Sequence, residues 1–460
     1  MDMSAAASRL GVDVAARLER LPMTRYQRTL FSIIATAWFF DSMDLGLMTF
    51  VLGSIKAEFG LSASQAGLLA SSSFLGMFVG AATAGLLADK FGRKPVFQVS
   101  MIFWGVGSLM CGFAHSAESL MMYRVLLGFG MGMEFPIGLS MVSEIVPAKS
   151  RGKYVAILEG FWPIGFIAAG AFAYFTLPVI GWRGIFIALA IPAVFVFVVR
   201  RMVPESPRWL EDTGRMKEAA DVMNHIEAKV QAAYGRKLPE PVIVPGARHP
   251  QTNRKALFSE IWRGVYAKRT VMLWTTWFFA LLGYYGLTTW LGALLQQAGY
   301  EITKSVLYTV YISLAGIPGF LFSAWLLEKW GRKPTCALML LGSAVAAYLY
   351  GQAAGARAPI EQLIATGLLM QFFLFGMWSV LYAYTPELYP TRTRATGSGF
   401  ASSIGRVGSL AGPFAIGVLL PTWGQAGVFT MGALSFVIAA LAVLLLGVET
   451  KGRSLEDVSH

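Results

Sequence analysis

The feature that most limits what this chain can fold into is the recurrence of long apolar runs. Stretches of about twenty residues with almost no charge follow one another along the sequence, as at 38–52 with its flank and at 186–199, separated by short loops of Arg, Lys, Gly and Pro. A bilayer core about 30 Å thick takes about twenty helical residues to cross. No water is present there to satisfy open backbone groups, so each run must be helical. Runs starting near Leu30, Ser64, Pro95, Glu118, Lys153, Arg183, Thr270, Lys304, Pro334, Ile360, Arg394 and Gly424 predict twelve spans, an all-α membrane protein. Composition agrees: 55% of the 460 residues are hydrophobic, 14% are charged, and mean hydropathy is +0.57, which is rare for a soluble domain.

The net charge is +12, but the basic residues form no patch or stripe of the kind that binds nucleic acid. They sit between spans. Arg17, Arg20, Arg25 and Arg28 precede the first; Arg93 and Lys94, then Lys149, Arg151 and Lys153, occupy alternate loops further on, and the loops between are nearly neutral. By the positive-inside rule this alternation puts both termini and the 203–268 segment in the cytoplasm of an inner-membrane protein. The polar, Arg-bearing start shows no cleavable leader, so the first span itself directs insertion. Cys111 and Cys336 fall in separate spans and are expected to be packing residues. His115, His225, His249 and His460 are scattered, and there is neither a Walker loop nor an HExxH sequence, so no enzyme, metal or bound cofactor is expected.

Three marks repeat at nearly constant offset, which predicts two pseudo-symmetric six-helix halves. Asp89-Lys90-Phe91-Gly92-Arg93-Lys94-Pro95 answers Glu328-Lys329-Trp330-Gly331-Arg332-Lys333-Pro334 (328 − 89 = 239). Glu144 and Arg151 answer Glu387 and Arg394 (387 − 144 = 243), and Glu205-Ser206 answers Glu449-Thr450 (449 − 205 = 244). The expected division is a segment 1–29, a first bundle 30–202, a linker 203–268 with an amphipathic helix at 209–230 and a Pro-rich piece at 238–250, a second bundle 269–447 and a tail 448–460.

The stretch from Gly85 through Asp89, Gly92, Arg93 and Lys94, echoed at Glu328 to Lys333, resembles the signature of the major facilitator superfamily. Pro204-Glu205-Ser206-Pro207-Arg208 and Glu449-Thr450-Lys451-Gly452-Arg453 resemble marks of its sugar-porter and organic-ion branch, with Val448 standing where that branch usually has Pro. The resemblance covers essentially the whole chain and implies a monomeric carrier that works by alternating access. Carboxylates at helix ends can pair with Arg across the gap between halves, and Gly92 and Gly331 suit the tight reversals of the short loops. Asp89, Arg93, Glu144, Arg151, Glu328, Arg332, Glu387 and Arg394, with Gly85, Glu205 and Glu449, are therefore the candidates for a cytoplasmic gate. A role in topology alone is the alternative for the basic residues.

An ionised side chain at mid-bilayer costs at least about 2.5 kcal/mol, so each one calls for a partner or a function. Asp41 and Asp44 share a face of span 1, Arg124 and Glu134 lie in span 4, Glu159 stands beside Trp162 in span 5, and Arg406 lies in span 11. They are candidates for proton carriage and for binding substrate charge, and static pairing that fixes helix packing is the alternative. The aromatics Trp162, Tyr284, Tyr285, Trp290, Trp378 and Tyr382, with Tyr384 nearby, are candidates to stack on a flat ring.

Phe40-Asp41-Ser42-Met43-Asp44-Leu45-Gly46 and Gly132-Met133-Glu134-Phe135-Pro136, with Leu18-Glu19-Arg20-Leu21-Pro22, resemble the bacterial niacin transporters. That resemblance implies nicotinate or a similar aromatic carboxylate as substrate, a proton as the coupling ion and a lipid bilayer as the setting. Aromatic-acid symport, sugar or organic-cation transport, and a non-cycling receptor of the same shape remain as alternatives.

Overall fold

The computed structural model describes residues 14–241, 258–390 and 393–451; most of the Pro-rich piece and the tail from Gly452 onward lie outside them. Span 1 is Arg25–Phe59, span 2 Ala63–Phe91, span 3 Arg93–Gly112 and span 4 Ala117–Ile145. Capping boxes at Thr24, Ser62 and Ser116 start three of them, each closing otherwise open N–H groups with the residue three positions on. Span 7 is Val265–Gln297, span 8 joins Ile302–Leu314 to Gly316–Trp330, span 9 is Arg332–Gly355 and span 10 is Ile360–Glu387.

The remaining four crossings come from two segments, 50 and 51 residues long, each roughly 75 Å of helix and far more than one crossing needs. Each turns at a single glycine with φ of 63°, Gly181 and Gly424, a backbone conformation other residues enter only with strain. Spans 5 and 6 meet at the first, and spans 11 and 12 at the second. A proline lies three residues before each turn, Pro178 and Pro421, and the offset between the turns (424 − 181 = 243) is that of the Glu and Arg marks. Among the described residues, ten apolar helical segments thus give twelve crossings, as the periodic runs predict.

Between the halves, the expected single linker helix is two, Pro207–Asp212 and Met216–Tyr234, broken around Gly214. With the short N-terminal helix Val14–Glu19 they bury a separate apolar cluster of Val14, Leu18, Leu21, Trp209, Leu210, Met223, Ile226 and Val230. Arg17 and Arg20 both reach Glu227 at 2.7 Å, and Glu19 bridges Arg151 at 3.1 Å and Arg208 at 3.3 Å. Burial works against the ionised form of Glu227, but hydrogen bonds and charge from the two arginines outweigh it and hold the carboxyl below its ordinary range. A lowered carboxylate pKa stabilises above the ordinary value and ceases to do so as pH falls through the lowered one.

The two halves meet mainly at their ends remote from the linker, where span 2 packs on span 11, span 1 on span 7 and span 5 on span 8. A Cβ added to Gly67 would fall 2.6 Å from the Pro413 carbonyl oxygen, one on Gly417 2.4 Å from that of Ala63, and one on Gly292 2.5 Å from that of Thr49. Backbone therefore presses on backbone across this face, and only glycine leaves the room. Further in, Phe166 against Phe375 (5.8 Å between centroids) and Phe74 against Tyr285 (4.6 Å) close the seam with rings. The far side is shut.

Two outcomes follow for stability and conformation. Glu227→Ala frees the N-terminal helix, with trypsin cutting after Arg17 or Arg20 at least about tenfold faster at neutral pH, as the net loss of a single charged hydrogen bond of about 1.5 kcal/mol already implies. Gly67→Leu and Gly417→Leu prevent far-side closure, so a cysteine placed beside the seam reacts faster with an impermeant thiol reagent than in the unsubstituted background.

Candidate functional site

Between the halves lies a cavity that, with the solvent space at its mouth, encloses about 540 Å3. Span 5 contributes Glu159, Trp162 and Pro163, span 7 Trp277, Leu281 and Tyr285, span 10 Phe375, Trp378 and Tyr382, and span 11 Ser402, Arg406 and Ser409; Met77, Phe135 and Phe320 complete the wall. Trp378 and Tyr382, one helical turn apart, stack at 5.6 Å with 20° between their planes. Trp277 stands edge-on to Tyr382 at 5.4 Å. The Arg406 guanidinium lies over the Phe135 ring at 5.2 Å, with a weak contact to the Met77 sulfur at 4.0 Å, and makes no ion pair among the described residues. Glu159 is buried, with Oε1 lacking a partner.

Of the residues expected at the site, Glu159, Trp162, Tyr285, Trp378, Tyr382 and Arg406 line this cavity. Tyr284 does not. It stands behind the wall, edge-on to Trp378 at 5.2 Å and to Tyr285 at 4.9 Å. Trp290 is spent on structure, its Nε1 donating to the Pro413 carbonyl at 2.9 Å across spans 7 and 11, and Tyr384 donates to the Val448 carbonyl. The aromatic count alone could not separate these from the lining rings, because period and residue type are the same on both faces.

Asp41, Asp44, Arg124 and Glu134 form a second group, buried inside the first half and absent from the cavity wall. Asp44 Oδ2 accepts from Trp104 Nε1 at 2.8 Å, and Arg124 donates to the Ser73 hydroxyl at 2.8 Å. Asp41 lies within electrostatic reach of both Glu134 and Asp44, and Asp44 within reach of Arg124. Both oxygens of Asp41 and of Glu134, and Oδ1 of Asp44, have no hydrogen-bond partner. Three buried carboxyls, with a buried guanidinium that reaches Asp44, is an imbalance that one static ion pair does not explain. Phe135, next to Glu134, is in the cavity wall and 5.4 Å from Trp162, so the two groups are adjacent layers of one structure. The supporting roles of Trp104 and Ser73 carry no mark in the sequence.

The gate residues gather at the linker end, but each measured pair lies inside one half and not across the gap. Arg93 meets Asp89 at 3.5 Å and Glu144 at 3.7 Å; Arg332 meets Glu328 at 3.6 Å and Glu387 at 3.0 Å. Arg151 turns away from Glu144 to Glu19, and Arg394 is half-buried at the start of span 11. Glu205 caps span 3 by accepting from the backbone of Arg93 and Lys94 at 3.0 and 3.2 Å, and Glu449 caps span 9 at Arg332 and Lys333 with 2.9 and 3.0 Å. Gly92 and Gly331, at φ of 102° and 105°, fit those carboxylates where a Cβ would collide. Gly85 has open space around it and nothing in the structure explains it.

Two six-helix halves closed at one end over a central cavity define a secondary carrier that exposes its site alternately to each side. The chain belongs to the Major Facilitator Superfamily, whose profile matches residues 34–356 and 307–458. It is 35% identical over 97% of its length to the whole of the niacin transporter NiaP of Acinetobacter baylyi. It is 28% identical, over 96% of its length and 95% of the relative's, to the 4-hydroxybenzoate transporter PcaK of the same organism. Among solved structures it matches the partially occluded inward open conformation of the xylose transporter XylE from E. coli, with a TM-score of 0.74, 19% identity and coverage of 93% and 99%. The protein is a multi-pass membrane transporter of a small molecule, not an enzyme.

Trp104→Phe removes the indole donor to Asp44 Oδ2. The expected outcome is a thermal midpoint lower by a few degrees in detergent, from the loss of about 1.5–3 kcal/mol, read by intrinsic fluorescence during heating.

Proposed function

We propose that this carrier imports nicotinate, or a closely similar aromatic monocarboxylate, together with protons. The observation that carries the reading is Arg406, a guanidinium without an acidic partner in a central cavity walled by rings. A flat acid would lay its ring along Trp378 and Tyr382 and give its carboxylate to the guanidinium, which can take both oxygens at once. The similarity to a niacin transporter over nearly the whole chain supports the same substrate. In this reading the linker side is the cytoplasm of an inner-membrane protein, as the basic loops require, and a single chain is the working unit.

Proton coupling falls to the buried group of Asp41, Asp44 and Glu134, with Arg124 beside Asp44. Ionising all three carboxyls there would leave two negative charges uncompensated in a medium without water, so protons must share the work of neutralisation with Arg124. Phe135 sits between this group and the cavity, so a substrate that moves Arg406 or Trp162 presses on span 4 where Glu134 is held. The linker-end residues then act as two braces, one for each half, that keep the helix ends rigid as the halves rock.

Uptake into proteoliposomes tests the whole reading. Labelled nicotinate accumulates when the outside is acid and only equilibrates without a pH difference. Arg406→Ala weakens half-saturation about 10- to 100-fold, the loss of a charged, two-point hydrogen bond, and Glu134→Gln abolishes accumulation while exchange across equal pH persists. Concentration of a hexose or an organic cation with no nicotinate signal would rule the substrate out.

A further inference from the structure

Arg406 answers the carboxylate of an aromatic acid, but it leaves Glu159 without work. That side chain is more than nine-tenths buried in the cavity wall, with Oε1 unpartnered, and Arg406 does not satisfy it because the guanidinium lies over Phe135. Pro163, four residues on in the same helix, has no N–H to offer the Glu159 carbonyl, so a second acceptor is freed at the same level. Tyr285 and Tyr382 lie within electrostatic reach of both Glu159 and Arg406, so the two charges border the same ring-walled cavity. A buried carboxyl facing a binding cavity with nothing to bond to is a site waiting for a complementary group on the ligand.

We propose that Glu159 is a specificity-determining residue that hydrogen-bonds a ring heteroatom of the substrate, so that the cavity selects planar heteroaromatic acids with a ring nitrogen over their all-carbon counterparts. The inference rests on the aromatic-carboxylate reading given above. With the carboxylate on Arg406 and the ring along Trp378 and Tyr382, the far edge of the ring meets Glu159. A pyridine nitrogen accepts from the protonated carboxyl, or its protonated form donates to the carboxylate; in either case one proton lies between them and neither group is stranded. Benzoate brings a C–H edge to the same place and leaves the buried acid unsatisfied.

Trp162, Trp277 and Trp378 in the wall make binding readable by quenching of intrinsic fluorescence on the purified full chain in lipid nanodiscs, without transport. Titration with nicotinate and benzoate is expected to give at least about tenfold tighter binding of nicotinate, the effect of one buried group left unpaired. Glu159→Gln keeps a hydrogen-bonding amide and still favours nicotinate. Glu159→Leu brings the ratio to about one by weakening nicotinate alone, with benzoate bound no more weakly than by the wild type. Equal affinity of the wild type for both acids, or parallel loss of both in Glu159→Leu, overturns the role of Glu159 and leaves the aromatic-acid reading intact. Failure of any aromatic acid to quench overturns both. Should Glu159→Leu not fold, the wild-type ratio and the Glu159→Gln variant decide the matter.

Discussion

Charge in hydrocarbon must be met by charge, by protons or by hydrogen bonds, and the rest of this structure depends on how that demand is divided between two layers. In the first half, Asp41 lies near Glu134 and Asp44, Arg124 lies near Asp44, and Trp104 and Ser73 are the neutral hydrogen-bond partners of Asp44 and Arg124. In the central cavity, Glu159 and Arg406 are held apart, each without a protein partner of opposite charge. The first layer is over-supplied with acid and the second is open to a ligand. Span 4 belongs to both, through Glu134 on one side and Phe135 on the other, so a change of charge in either layer is felt by the same helix.

The two ends of the molecule are built from different materials. At the far end, glycine lets backbone touch backbone between spans 2 and 11 and between spans 1 and 7, contacts that form over a short range and are lost abruptly when the halves separate. At the linker end the chemistry is ionic, and it is local: Glu205 and Glu449 cap the helices that follow Gly92 and Gly331, while Arg93 and Arg332 tie those loops to Glu144 and Glu387. Each brace stays with its own half when that half moves as a body. The N-terminal helix and the linker helices extend the first brace through Glu19 and Glu227, and so join the chain's beginning to the connection between halves.

The repeat at offsets of 239 to 244 residues has a structural meaning that goes beyond duplication. The two glycine turns at Gly181 and Gly424, the two capped loops and the two Arg-bound glutamates occupy equivalent places, yet among the described residues the fully buried carboxyls lie in the first half alone. Where the first half buries Asp41, Asp44 and Glu134, the second offers rings and Arg406 to the cavity. Duplication supplied the scaffold, and divergence assigned one half to charge balance and the other to most of the ligand wall.

What the sequence by itself determined is the set of local necessities: twelve apolar crossings, because a bilayer admits nothing else; the two halves, because the loop motifs repeat; and the short roll of intramembrane charges, because each is too costly to be incidental. Proximity between distant spans it did not determine. That Arg406 and Glu159 share a space with Trp277 and Phe320 while Trp290 holds a backbone carbonyl, that Glu144 pairs with Arg93 and not Arg151, and that the acids of span 1 lie behind the cavity are outcomes of helix rotation and packing. Helices hydrophobic on every side have weak amphipathic patterns, and their orientation is set by small residues such as Gly67 and Gly292 meeting a neighbour's backbone, a condition that exists only once both helices are in place.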